Sequence, residues 1–282
     1  MKRGLLGLLQ NTISTSTDSL YNNVIGFKDV TDGSGASTII RNVAEQFALS
    51  GKTVCIIDTH LCKHTLSVLC GCNPEPTVKS MLFFKTGDLI GSYIQPTSIH
   101  KNISFVEAIN STADTLISSW DNPDTFIAVL DAVRPLFSVI LINLSNELSQ
   151  INDVAIGHCN ILFPVLTPAL TCTSNLQNFV AQNYELCMLN QNTKNVIVNK
   201  VDPSQAAIIN SLFNKGNEFS NDLSIVTMLP FSAEIYKASC TGQSLVRTDA
   251  LTGLTVHSSI REFGAGVQAI CDFIYSQNSK NL

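Results

Sequence analysis

Residues 24–38 read V-I-G-F-K-D-V-T-D-G-S-G-A-S-T, and their types suit one chemistry, the holding of a phosphate group. An apolar strand, Val24 to Phe27, runs into a turn built on Gly33 and Gly35, and Ser37 and Thr38 then open a helix. A glycine-rich turn at a helix start forms a nest of backbone N–H groups at the positive end of the helix dipole, which favours an anion. In the spacing G-x-x-x-x-G-K-[ST] the lysine meets the β- and γ-phosphates and the hydroxyl reaches Mg²⁺. Ala36 stands where that lysine belongs. Gly33, Ser34, Gly35, Ala36, Ser37 and Thr38 therefore form a cradle without its cation, and phosphate transfer is the less favoured reading.

Two other groupings carry letters of chemistry. His60-x-Cys62-x-His64, followed by Cys70-x-Cys72, gathers potential soft metal ligands. Structural zinc sites favour C-x₂₋₄-C pairs, so the tight C-x-C spacing favours core and surface residues, and no metal is expected. Asn199-Lys200-Val201-Asp202 spells a guanine-reading pattern, but no GTPase-type loop accompanies it.

The elements that must position these residues follow from the apolar pattern. Strands are expected at Val24–Phe27, Thr53–Ile57, Ile103–Val106, Ser138–Ile142, Asn160–Leu166, Asn195–Val198 and Ser224–Met228. Most are unbroken apolar runs, the mark of strands buried on both faces. Helices are expected at Ser37–Ser50, Thr65–Cys70, Thr77–Phe84, Pro123–Pro135, Ser145–Cys159, Thr173–Leu189, Ala206–Asn214, Ala233–Thr241 and Ser258–Tyr275. The alternation predicts an α/β fold, a doubly wound, mostly parallel sheet flanked by helices, with ligands at the carboxyl ends of the strands. Residues 23–282 are expected to form this one domain, and residues 1–22 an N-terminal extension.

Composition narrows the function. Charged residues make up 14% of the 282 and the net charge is −5, with no basic cluster, which argues against a nucleic-acid partner. The nine cysteines are scattered and several lie inside apolar runs, as expected of reduced thiols in the cytoplasm. No apolar run approaches the length of a membrane span. On a helix Met1, Leu5, Leu8, Leu9 and Ile13 would fall near one face, behind Lys2 and Arg3, with Leu6 completing the leucine cluster. Such a tail suits either a membrane surface or packing against protein.

From about Asn23 to Tyr275 the chain resembles the MinD/ParA family of deviant Walker ATPases. The family loop K-G-G-x-G-K-[ST]-[ST] matches Thr31-Asp32-Gly33-Ser34-Gly35-Ala36-Ser37-Thr38, and the family's I-D-x-D matches Ile57-Asp58-Thr59-His60. Leu66 to Gly71 is similar to L-D-x-x-x-G, and Phe137 to Asn143 to F-x-x-I-x-x-D. Asn195 to Lys200 resembles the base-recognition strand, and Leu229-Pro230 with Ala238 to Val246 resembles the I-P-x-D…A-x-x-x-G-x-P-V segment. The resemblance implies a P-loop fold, ATP and Mg²⁺ as cofactors, a face-to-face homodimer, and site roles for Asp58, Asn143 and Asn199, the last at the base.

The departures fall on the chemistry. By the resemblance, Thr31 replaces the lysine that reaches across the dimer, Asp32 replaces a glycine and Ala36 replaces the loop lysine. His60 replaces the carboxylate near the attacking water, Asn143 the carboxylate that holds Mg²⁺ through water, and Glu147 a glycine. Phosphoryl transfer is mostly positioning and charge neutralisation, so no catalytic residue is expected and ATP and Mg²⁺ should bind weakly. Alanine at the loop lysine is similar to the TadZ/CpaE-like pilus assembly proteins. The expectation is a pseudo-ATPase acting as a localisation or assembly scaffold for a pilus or secretion machine, in the cytoplasm or peripheral on the inner face of the membrane. Its partners would be a second copy and proteins of that machine. The alternative is a slow Mg-ATP-dependent ATPase positioning cellular cargo, with Lys28 as substitute cation.

Overall fold

The computed structural model describes residues 23–60, 65–72, 80–108, 122–145, 149–168, 174, 178, 195–214, 223–247 and 257–278. Eight strands form one sheet: β1 Asn23–Asp29, β2 Val54–Asp58, β3 Gln95–Pro96, β4 Ile103–Glu107, β5 Val139–Leu144, β6 Ile161–Leu166, β7 Asn195–Val201 and β8 Ser224–Pro230. Their order is β3-β4-β2-β5-β1-β6-β7-β8, and every pair is parallel except β3 with β4. The doubly wound, mostly parallel sheet expected from the unbroken apolar runs is present.

Alternate residues of each strand face two cores. Ile25, Phe27, Val54, Ile56, Leu141 and Phe163 pack on one side beneath the helices α1 Ala36–Leu49 and α7 Ser258–Asn278. Val24, Cys55, Ile57, Ile140, Ile142 and Leu162 pack on the other beneath α3 Pro123–Val133 and α4 Gln150–His158. All twelve are at most 2% exposed, and each such side chain contributes about 1.5–3 kcal/mol of transfer free energy. The remaining described helices are α2 Thr65–Leu69, α5 Ala206–Asn214 and α6 Ala233–Cys240.

Three expectations change in detail. The edge strand β3 has only two residues, too few to leave a pattern in the sequence. The described part of the helix expected over Thr77–Phe84 is a single 3₁₀ turn, Met81–Phe83. Ser80 is extended there and its hydroxyl accepts from Leu82 N, a local bond that competes with helix continuation. The helix expected from Ser145 begins at Gln150, because Ser149 caps it by accepting from Asn152 N at 3.1 Å. The helix expected over Thr173–Leu189 lies almost entirely outside the described residues, as does the N-terminal extension with Leu5, Leu6, Leu8 and Leu9.

Candidate phosphate-loop site

The loop that follows β1 turns through two glycines with left-handed backbone, Gly33 at φ 75° and Gly35 at φ 99°. At Gly35 a Cβ would lie 2.4 Å from the Asn199 side-chain nitrogen, so both conformation and space require glycine. Gly35 is the N-cap residue of α1 and, lacking a side chain, cannot cap it. The cap arrives from β1 instead. Asp29 Oδ1 accepts from the Ala36 backbone N–H at 2.9 Å and from the Ser34 hydroxyl. Ser34 and Ala36 are fully buried. A carboxylate of the chain therefore sits on the first backbone N–H of the helix, at the positive end of its dipole.

The same loop is gripped from β7. The ladder between β7 and β8 slips between Val198 and Val201, and Lys200 adopts φ 60° there. Such a bulge re-aims side chains. Asn199 Nδ2 donates to the Ser34 carbonyl at 2.8 Å, and Lys200 Nζ donates to the Gly33 carbonyl at 2.5 Å. Asp202 caps the short turn Pro203–Gln205 by accepting from Ser204 N and Oγ, and these bonds hold its carboxyl below the usual carboxylate range. The four letters that spell a guanine reader thus contact the loop and their own turn.

At the ends of β2 and β5 the register places Asp58 beside Asn143. Asp58 Oδ1 is 3.0 Å from Asn143 Nδ2, 2.7 Å from His60 Nδ1 and 3.2 Å from His60 N. Asp58 is 1% and Asn143 2% exposed. Thr59 Oγ1, buried alongside, lies 2.7 Å from Asn152 Oδ1 and accepts from Ser145 N at 3.1 Å. Lys28 donates its ammonium to the Ser145 carbonyl, across the strand end from the loop.

The expected site residues are thus gathered at one end of the sheet. Ser37 and Thr38 are half-buried in the first turn of α1. The residue that sequence reasoning missed is Asp29. Its signal was present as the polar pair Lys28-Asp29 closing an otherwise apolar strand, which extends two residues beyond Phe27. Of the soft-ligand cluster, Cys70 is buried and burial raises its thiol well above the ordinary range, while Cys62 and His64 lie outside the described residues. Among the described residues no group of three or more His, Cys, Asp or Glu side chains could hold a metal.

Behind the loop, α1 carries a buried charge cluster. Arg41, 4% exposed, donates to the Leu69, Gln243 and Gly242 carbonyls at 3.0, 2.9 and 2.6 Å. Glu45, 2% exposed, lies 3.9 Å from Arg41 and 2.9 Å from Arg247 Nε. Burial lowers the Arg41 pKa, and Glu45 opposes that shift.

A phosphate entering this loop would meet the Asp29 carboxylate, and the groups at the Mg²⁺ side, Asp58 and Asn143, bond to each other. The residues as arranged do not fit a magnesium–nucleotide. The overall architecture nonetheless resembles that of solved structures. The chain matches the cell division ATPase MinD of Pyrococcus furiosus at TM-score 0.66 and 14% identity, over 89% of this chain and 99% of that one. This is the MinD/ParA fold. The septum site-determining protein MinD of Pyrococcus horikoshii, complexed with Mg-ADP, matches at TM-score 0.65 and 14% identity over 88% and 96% of the two chains. A ParA family ATPase from Chlorobium tepidum matches at TM-score 0.62 and 18% identity over 88% and 99%. In sequence the chain is 23% identical over 233 residues to the septum site-determining protein MinD of Thermotoga maritima, covering 78% of this chain and 79% of the relative. No protein-family model matches the chain. The MinD sequence match and these structural likenesses together support the MinD/ParA resemblance.

Proposed function

We propose that this chain is a MinD/ParA-like pseudo-ATPase, a localisation or assembly scaffold with weak or lost nucleotide binding. One observation carries the reading: the polar groups at the sheet's ligand end are bonded to one another. Asp29 holds the loop N–H, Asn199 and Lys200 hold the loop carbonyls, and Asp58 holds His60 and Asn143. The lysine that neutralises the β- and γ-phosphates is Ala36, fully buried. Lys28 at the end of β1 and Lys200 on β7 each donate to a backbone carbonyl.

Scaffolding fits what is left when the chemistry is removed and the fold is kept. Ala36 favours an assembly role of the TadZ/CpaE kind, serving a pilus or secretion machine. The homodimer implied by the resemblance would then be held by apolar surface and not by nucleotide, since Thr31 cannot supply the bridging ammonium. No described helix is long and apolar enough to cross a membrane. A peripheral contact at the inner face of the membrane would fall to the leucine-rich tail, Leu5, Leu6, Leu8 and Leu9.

A phosphate-release assay with purified protein, ATP and Mg²⁺ tests the catalytic half of this reading. No turnover above background is expected. Turnover that disappears in Ser37→Ala would establish the slow ATPase instead.

A further inference from the structure

We propose that Asp29 is an internal stand-in for a phosphate group: its carboxylate occupies the anion position of the loop and shuts the site from within. This rests on the reading of the loop as a former phosphate site, and it supplies a cause for weak binding beyond the missing lysines. The first N–H groups of a helix have no partner inside the helix and attract an anion. Here the N-cap residue Gly35 offers none, and the anion comes from the strand six residues earlier in the chain, through Ala36 N–H at 2.9 Å and the Ser34 hydroxyl.

The surroundings hold that carboxylate in register with the loop. Asp29 ends β1, whose ladder to β6 runs through Asp29 opposite Val165, and Val30 N continues it by donating to the Val165 carbonyl at 3.0 Å. The loop is fixed from the other side by Asn199 and Lys200 on the carbonyls of Ser34 and Gly33. Neither partner has to move for the contact to form, so an external phosphate must displace an anion already in place. Two anions cannot share one nest, and Asp32, exposed in the same loop, is a further acidic residue.

The test is a calorimetric titration of inorganic pyrophosphate into the full chain, wild type and two variants, Asp29→Asn and Asp29→Ala. Asn keeps the size and an acceptor oxygen but removes the charge; Ala empties the position. The wild type should show no saturable binding. Both variants should bind at least about tenfold more tightly, Ala more than Asn, since a charge-assisted contact is replaced. Pyrophosphate binding equally, or not at all, across all three overturns the proposal. A measurement on the wild type alone guards against variants that do not fold. The Ala36 amide should be protected from hydrogen exchange without ligand, and its NMR signal should stay put on adding pyrophosphate. An unprotected or shifted Ala36 amide refutes the internal anion. The two failures are distinguishable. ATP turnover by the wild type sinks both the pseudo-ATPase reading and the closed loop, whereas unimproved variants without turnover sink only the role of Asp29.

Discussion

The first turn of helix α1 and its middle use charge in opposite ways. At its first turn the loop lacks lysine at Ala36, and the Asp29 carboxylate meets a backbone N–H. In the next two turns, Arg41 and Glu45 are buried full charges, and Arg41 holds three backbone carbonyls of other segments. Arg247 completes that cluster and ties the stretch after α6 to α1. The difference shows where this chain needs cations. They hold chain segments together behind the loop, where desolvated charge is costly to leave unpaired. At the loop itself, where a phosphate would need a free cation, Asp29 takes the Ala36 N–H, and the Lys200 ammonium is spent on the Gly33 carbonyl. The MinD/ParA fold is present, and on the proposed reading its buried charges serve structure.

The largest effect should come from breaking the cluster behind the loop. Arg41→Ala leaves three carbonyls without their donor and Glu45 with Arg247 alone, and should cost about 3–5 kcal/mol in urea denaturation. A loss under about 1 kcal/mol would mean the cluster is solvated and the contrast between the two regions is false.

At the loop the effects should be smaller and should read out in binding. Ala36→Lys in an otherwise unchanged chain places the new ammonium near Asp29, and the two should pair. Affinity for ATP should therefore rise little with Ala36→Lys alone, and more than additively when it is combined with Asp29→Ala. A coupling of about 1–2 kcal/mol is expected from such a double-mutant cycle by calorimetry. Strict additivity would separate Asp29 from the fate of the phosphate. Asn199→Ala, which leaves the Ser34 carbonyl without its donor, should cost about 1–2 kcal/mol of stability in the same denaturation assay.

The smallest effect is chemical. Burial pushes the thiols of Cys55, Cys159 and Cys271 well above their ordinary range, and that of Cys72 up to about 12. Cys240 is exposed. Of these five, Cys240 should react first with iodoacetamide at pH 8, half-buried Cys72 more slowly, and Cys55, Cys159 and Cys271 only as the chain unfolds, with mass spectrometry of digested samples as the check.

Much of this was legible in the residues. Runs such as Val54-Cys55-Ile56-Ile57 announce a doubly buried strand because nothing polar interrupts them, and Gly33 and Gly35 announce the turn. The two-residue strand β3 is too short for any period to show. The 3₁₀ turn at Met81 was hidden because a serine hydroxyl, not the apolar pattern, decides it. At the site, the absence of the lysine was plain at Ala36, and the roles of Asp58 and Asn143 came from the family resemblance. Their bond to each other depends on strand order, since β2 and β5 are neighbours only after the chain has crossed over. Asp29 was hidden for a related reason. A carboxylate at a strand end reads as a solvated residue until the loop folds back and puts Ala36 N–H against it.

The most direct measurement is a calorimetric titration of the wild-type chain with ATP and Mg²⁺. A site closed by its own carboxylate and without lysine should show no saturable heat, or a dissociation constant of millimolar or weaker, roughly −4 kcal/mol or less in magnitude. One-to-one binding at micromolar or tighter would contradict the account, because the loop would then be open to phosphate despite Ala36 and Asp29.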